Sequence, residues 1–436
     1  MLFNELNTNV LLQIYGYLDL IDSINLADTC RKLRDVAQLH YKRFKILNLP
    51  NFLDDTDQTK RHNSIDATTL LKHIGYFICV LIADLNEDKI GSNLGTSIRK
   101  YCVNVKSLKI KRLWNDFPSY NTYSKWVKKL NLTKISLPAQ DLLLMDLSET
   151  TALDGLHIYS WSDEHVNVDI LERNLNVSSL RVPVNYDEDF NYEIFEKLKC
   201  LKRLGLYIKC WDYIEIVSAN LNMTQLEKVE LLCDNVDLDT IEEYQILLKN
   251  IAENALNLKD LSILKVFGEY FVSHQKHLPP LHLFKLTSLR LNIAYPNIHK
   301  ELPAMQPNLE HLDLLINEQD NASDSLNPME QIIFLIQNLE KLKVFHIKIY
   351  DENDLSSVVH NLRQESVICR IFNCCSIGRP TLQLYVRCNA YFRDEWYFLH
   401  VKLDFNKRKW TVTDIPFKRN YFSSSVKHQS LLPCCY

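Results

Sequence analysis

At 436 residues the chain exceeds the about 250–300 residues at which single hydrophobic cores stop growing, so it holds several domains or an open-ended repeat. Hydrophobic residues at 46% and charged residues at 24% exclude global disorder, and a net charge of −4 gives no global drive towards nucleic acid. Only 8 glycines leave no phosphate-cradling loop, and no apolar run approaches the about 18 residues of a membrane span.

Residues 1–45 form a helical module. Val10, Leu11, Ile14 and Leu18 make one apolar stripe, with Asn9 as a possible cap. Asp19 and Asp22 mark a break. Ile24, Leu26 and Ala27 open a second helix, and Cys30, Leu33, Val36 and Ala37 continue the pattern beside Arg31, Lys32 and Arg34. Residues 46–69 are expected as a linker or capping segment, with Asp54-Asp55-Thr56-Asp57 solvated. No basic n-region precedes an apolar stretch, so no signal peptide is expected. The 12 cysteines then belong as thiols in the cytoplasm and/or nucleus.

Residues 70–372 carry a repeat. Its unit is an apolar residue, two variable residues, an apolar, a variable and an apolar. It reads Phe77-Val80-Ile82, Val105-Leu108-Ile110, Leu132-Ile135-Leu137, Leu153-Leu156-Ile158, Val177-Leu180-Val182 and Leu201-Leu204-Leu206. It continues Leu226-Val229-Leu231, Leu258-Leu261-Ile263, Leu286-Leu289-Leu291, Leu309-Leu312-Leu314 and Leu342-Phe345-Ile347. The last two apolar positions share one face of a short strand. One unit cannot bury that face alone, but stacked neighbours can. The intervening segments read as helices. Asp239 to Asn254 has apolar residues at helical spacing, with Asp239 a possible cap. Asn327-Pro328 opens another helix, and Trp211, Ile214, Val217 and Leu221 form a third stripe. Residues 373–436 alternate at Leu382-Leu384-Val386 and Val401-Leu403-Phe405, with Trp410-Val412 across a turn at 406–408. They are expected as a small β-rich cap and tail. The fold class is α/β, with parallel strands inside and helices outside.

Over residues 70–372 this pattern resembles the leucine-rich repeat family. Residues 6–37 resemble an F-box. Val10, Leu11, Ile14, Tyr15, Tyr17, Leu18, Leu26, Cys30, Arg31 and Leu33 match that family in order and spacing. Asn7 stands where the family usually has proline, Asn9 where it has an acid, and Leu33 where tryptophan is common. The F-box resemblance implies docking on a Skp-type adaptor through Leu6, Val10, Leu11, Ile14, Leu18, Leu26, Cys30 and Leu33. Together the two resemblances imply the substrate-recognition subunit of a Skp–cullin–F-box ubiquitin ligase. Its partners would be the adaptor, through it a cullin–RING ligase, and an unidentified substrate protein, with no nucleic acid and no membrane. A repeat scaffold acting without a ligase is the alternative.

The residue between the last two apolar positions is expected to point outward. That row reads Leu81, Lys109, Ser136, His157, Arg181, Gly205, Glu230, Ser262, Arg290, Asp313 and His346. Adjacent outward positions add Tyr159, Arg203 and Tyr207, and with them His157 and Arg181 form a candidate basic-aromatic patch for an acidic substrate segment, or else an ordinary solvated face. No metal or other cofactor is expected. His274, His277 and His282 have no flanking paired cysteines, and Cys374-Cys375 and Cys434-Cys435 lack zinc spacing. No hydrolase, metalloprotease or kinase motif occurs, so the chain is expected to be non-catalytic.

Overall fold

The computed structural model describes residues 6–48, 67–84, 92–111, 130–138, 152–159, 169–184, 192–209, 213–233, 241–265, 283, 285–291, 298–317, 328–350, 361–375, 379–390 and 395–414. The chain divides into two compact units. The first is Met1–Lys202 with Asn220–Asn222, and the second is Arg203–Ala219 with Met223–Tyr436.

The first unit opens with three helices, α1 (Thr8–Tyr17), α2 (Leu20–Thr29) and α3 (Arg31–Tyr41). They lead into strand β1 (Ile46–Asn48), then α4 (Ala67–Ile74), β2 (Val80–Asp84), α5 (Ser92–Tyr101), β3 (Ser107–Lys111) and β4 (Lys134–Pro138). β5 (Gly155–Tyr159), α6 (Asp169–Arg173), β6 (Ser179–Val184) and α7 (Ile194–Lys197) complete it. Strands β1 to β6 pair in sequence order, each parallel to the next.

The second unit repeats the theme. It runs β7 (Arg203–Ile208), α8 (Ile214–Asn220), β8 (Lys228–Cys233), α9 (Ile241–Asn254), β9 (Asp260–Lys265) and β10 (Ser288–Leu291). Then follow α10 (Ile298–Met305), β11 (His311–Asn317), α11 (Pro328–Asn338), β12 (Val344–Tyr350), α12 (Glu365–Cys374) and β13 (Leu382–Ala390). β7 to β13 are parallel in order. β14 (Glu395–Asp404) and β15 (Lys409–Asp414) close the sheet antiparallel.

The inward face is the one the triplets foretell. From Leu108 and Ile110 to Phe345 and Ile347, the last two apolar positions are at most 2% exposed. Each such side chain contributes about 1.5–3 kcal/mol by leaving water. The helices add Leu70, Leu71 and Ile74 from α4, Leu247, Leu248 and Ile251 from α9, and Ile332, Ile333 and Ile336 from α11. Cys102 and Cys233 are fully buried, and desolvation pushes each thiol up to about 12.

A backbone ladder sets the strand register. At the mouths of β2 to β6 and of β9 to β12 one carbonyl of the preceding repeat accepts from two successive amides. Cys79 O takes Lys106 N and Ser107 N at 2.9 and 3.1 Å; Lys259 O takes Thr287 N and Ser288 N at 3.0 and 2.9 Å. An asparagine just before the first apolar position ties neighbouring turns: Asn104 Nδ2 donates to Tyr76 O at 2.6 Å and Asn257 Nδ2 to Thr224 O at 2.8 Å.

Several expectations are corrected. β2 pairs Leu81 with Leu108 and Ile82 with Lys109. The first copy is therefore Ile78-Leu81-Ala83, one residue later than Phe77-Val80-Ile82, and Leu81 points inward at 0% exposure. A one-residue slip exchanges the two faces of a strand. β13 extends the repeat rather than covering it, since Leu384 and Val386 pair with Phe345 and Ile347; the terminal pieces are β14 and β15. The segment expected as linker begins with β1, which pairs with β2. Helix α9 begins at Ile241, and Asp239 lies outside the described residues, as do Trp211, His274, His277, His282, Cys434 and Cys435.

Candidate functional site: the N-terminal helical module

Helix α1 is started by Asn7, not Asn9. The Asn7 side-chain oxygen accepts from Val10 N at 2.9 Å, satisfying one of the free amides of the first turn. The residue standing where an F-box usually has proline is thus the N-cap. Asp19 does the same for α2, accepting from Asp22 N at 2.7 Å. Lys32 Nζ donates to Leu6 O at 2.8 Å, tying the entering chain to α3.

The helices enclose their own small core. Leu11, Tyr15, Ile24, Ala27, Leu33, Val36, Ala37 and Tyr41 are at most 4% exposed. Tyr15 donates its hydroxyl to Leu33 O at 3.0 Å, and Ser23 Oγ donates to the Tyr41 hydroxyl at 3.1 Å. Desolvation pushes both phenols up, Tyr15 further by the nearby Tyr41, so neither ionises in the physiological range. His40 packs against Tyr15 with ring centroids 5.6 Å apart, and burial, then Arg43, lowers its pKa.

Of the residues expected to meet an adaptor, Leu11 and Leu33 therefore serve the module's interior. Leu6, Ile14, Leu18, Leu26 and Cys30 are half-buried and Val10 is 37% exposed. Val10, Ile14 and Tyr17 lie at helical spacing on the face of α1 turned away from that core, with Leu18 at its edge. Tyr17 is 90% exposed, the highest value among the exposed large apolar side chains of the described residues. It was named in the sequence match but not as a contact; its place on the Val10–Ile14 stripe was the available signal. On the far side, α2 and α3 lean on the first repeat, with His73 Nε2 3.5 Å from Asp28 Oδ2.

The residues of the candidate substrate patch fall in both units. In the first unit, His157 is half-buried with Nε2 3.1 Å from Ser179 Oγ. Tyr159 turns its hydroxyl back to Ile110 O, and Arg181 is 7% exposed. In the second unit Arg203 is exposed, but Tyr207 is 6% exposed with Lys209 Nζ 5.5 Å from its ring centre. Gly205, Glu230 and Ser262 of the outward row are also buried. Alternation along a strand reports which face a residue takes, not whether that face meets water.

No family model matches the chain, and no curated protein matches it. Solved structures with a similar arrangement include the TLR13–ssRNA13 complex, at 16% identity and TM-score 0.36 over 66% of this chain and 38% of that one. The Rad7–Elc1 complex of yeast is 15% identical with TM-score 0.40, covering 79% and 87%. The Toll–Spatzle complex of Drosophila is 10% identical with TM-score 0.32, covering 73% and 49%. The chain spans less than half the length of the first and third. Its class follows from its own strand register and triplet repeat, which define a leucine-rich-repeat solenoid of the α/β class preceded by a helical module.

Proposed function

We infer that the chain is a non-catalytic substrate-recognition subunit of a Skp–cullin–F-box ubiquitin ligase, working in the cytoplasm and/or nucleus. The N-terminal module docks on the Skp-type adaptor, and the repeat region holds the substrate protein near the ubiquitin-loaded enzyme. The observation that carries this reading is the uncovered stripe on α1. Tyr17 is 90% exposed, Val10 37% exposed, and Ile14 and Leu18 are half-buried, on a module whose buried core is formed by other residues. Exposed apolar groups at helical spacing are the usual anchors for a partner's groove. Burying each contributes about 1.5–3 kcal/mol before the losses of association.

A second reading, a scaffold without a ligase, draws support from the packing of α2 and α3 on α4, which suits an end cap for the repeat. Pulldown with a purified Skp-type adaptor separates the two. Ile14→Asp with Leu18→Asp is expected to abolish adaptor capture while the circular dichroism spectrum stays that of the parent. Capture unchanged in this variant would sink the ligase reading.

A further inference from the structure

The outward face of the second unit is not uniform. Over β7 to β9 it is closed: Tyr207, Leu232 and Leu264 form one cross-strand row at 6, 6 and 8% exposure. From β10 to β14 it opens. Arg290, His346, Lys348, Tyr385 and His400 are half-buried and Lys402 is exposed. The register sets Arg290, Asp313, His346, Tyr385 and His400 in one row across five strands.

Three of those five side chains are rings in contact. His346 and Tyr385 have centroids 4.6 Å apart, and Tyr385 and His400 stack at 4.5 Å with planes 4° apart. Gln383 Oε1 accepts from the Tyr385 hydroxyl at 3.2 Å and lies 2.9 Å from His400 Nε2. The shared acceptor assigns the proton of the neutral His400 ring to Nε2.

The charges on this face do not cancel. Asp313 is matched by Lys348 at 3.5 Å, and Asp404 is engaged by Lys407 at the turn. Arg290 and Lys402 take part in no ion pair among the described residues. His346 faces Asp313 and His311 of β11, Arg290 of β10, Lys348 of its own strand and Tyr385 of β13. His400 faces Tyr385 and Gln383 of β13, Lys402 of its own strand and Thr413 of β15. Desolvation holds both imidazoles below their ordinary value, with Asp313 opposing at His346 and Lys402 adding at His400.

We propose that the outward face of β10–β14, through Arg290, His346, Lys348, Tyr385, His400 and Lys402, captures an acidic segment of a partner protein. Carboxylates of that segment meet Arg290 and Lys402, and its aliphatic and backbone groups lie over the ring stack. A nucleic acid fits less well, because its affinity grows with the number of phosphates neutralised and among the described residues this face offers two unpaired cations. Acid strengthens the site as the two imidazoles gain charge. The proposal deepens the substrate-receptor reading by naming the class of segment held.

The test uses the full chain and a fluorescein-labelled polyglutamate oligomer, read by anisotropy at about pH 7.5 and about pH 5.5. Polylysine and oligouridine serve as competing probes. Polyglutamate is expected to bind more tightly at the lower pH, and Arg290→Glu with Lys402→Glu to weaken it about tenfold. Lys402→Glu alone, at an exposed position, is expected to lose about threefold and stands in should the double variant fail to fold. His400→Gln should reduce the pH dependence, and His346→Gln with His400→Gln should flatten it. Undiminished affinity in the charge-reversal variants overturns the proposal, as does tighter binding of oligouridine or no binding of polyglutamate. The adaptor pulldown is read on the same proteins. Lost peptide with retained adaptor is the expected pattern for these variants, whereas wild-type chain that takes polyglutamate but not the adaptor fails the ligase reading alone.

Discussion

His299 offers a sharp physical test of the packing between helices. It sits on α10 at 0% exposure, and neither Nδ1 nor Nε2 has a hydrogen-bond partner among the described residues. Its ring meets Phe334 of α11 edge-on at 6.0 Å. Replacement by leucine removes a buried donor and a buried acceptor, each left unpaired at about 1–3 kcal/mol. It forfeits a ring contact of about 0.5–1.5 kcal/mol. The gain outweighs the loss, so His299→Leu is expected to raise stability by about 1 kcal/mol or more at neutral pH. Acid should widen the difference. Burial, then Lys300, lowers the folded pKa of His299, with Glu301 opposing. Its unfolded value is 6.5, so below that pH the unfolded chain binds the extra proton. Stability is full above 6.5 and falls as pH drops towards the folded value, by up to about 1.4 kcal/mol per pH unit. Urea unfolding followed by circular dichroism at about pH 7.5 and about pH 5.5 reads both effects from paired midpoints. A variant less stable than the parent, or one with the parent's pH dependence, would refute the picture of a neutral, unpaired imidazole.

Arg379 is 3% exposed and donates to Ile336 O and Leu339 O at the end of α11, with Phe405 5.2 Å beneath its guanidinium. Arg379→Met should lower stability by about 2–4 kcal/mol in a urea titration, and Arg379→Lys should recover little because one ammonium cannot span both carbonyls. Two glycines should answer alanine oppositely in thermal melts. At Gly75 a Cβ would lie 3.0 Å from the backbone of Tyr101, so Gly75→Ala should destabilise by about 1–3 kcal/mol. At Gly16 nothing lies within 4 Å, so Gly16→Ala should stabilise α1 by up to about 1 kcal/mol through helix propensity.

The inward half of the fold was legible because the triplets demand burial at fixed spacing, and ten of the eleven copies bury the positions the sequence assigns to that face. The exception, at β2, sits in the run Ile78-Cys79-Val80-Leu81-Ile82. Every residue there is apolar, so period-two alternation carries no phase. The copy at β13 carries no triplet signature because Thr381 holds the position that an apolar residue takes in the others. In the segment Asn7-Thr8-Asn9 both asparagines suit a cap, and only the geometry of the first free amides selects Asn7. The outward face was the least legible. Whether Arg181, Tyr207 or Ser262 meets water depends on residues distant in sequence, and no local pattern reports it. Conversely, the ring stack of His346, Tyr385 and His400 joins residues from three strands and becomes visible only once the register is known.

The central claim is that α1 presents a partner surface. Hydrogen–deuterium exchange of the full chain with and without a purified Skp-type adaptor tests it directly. Slowed exchange confined to α1 and to the stretch from Leu26 to Leu33, with β10–β14 unchanged, is the predicted result. No complex, or protection falling on the repeat strands with α1 unaltered, would contradict it.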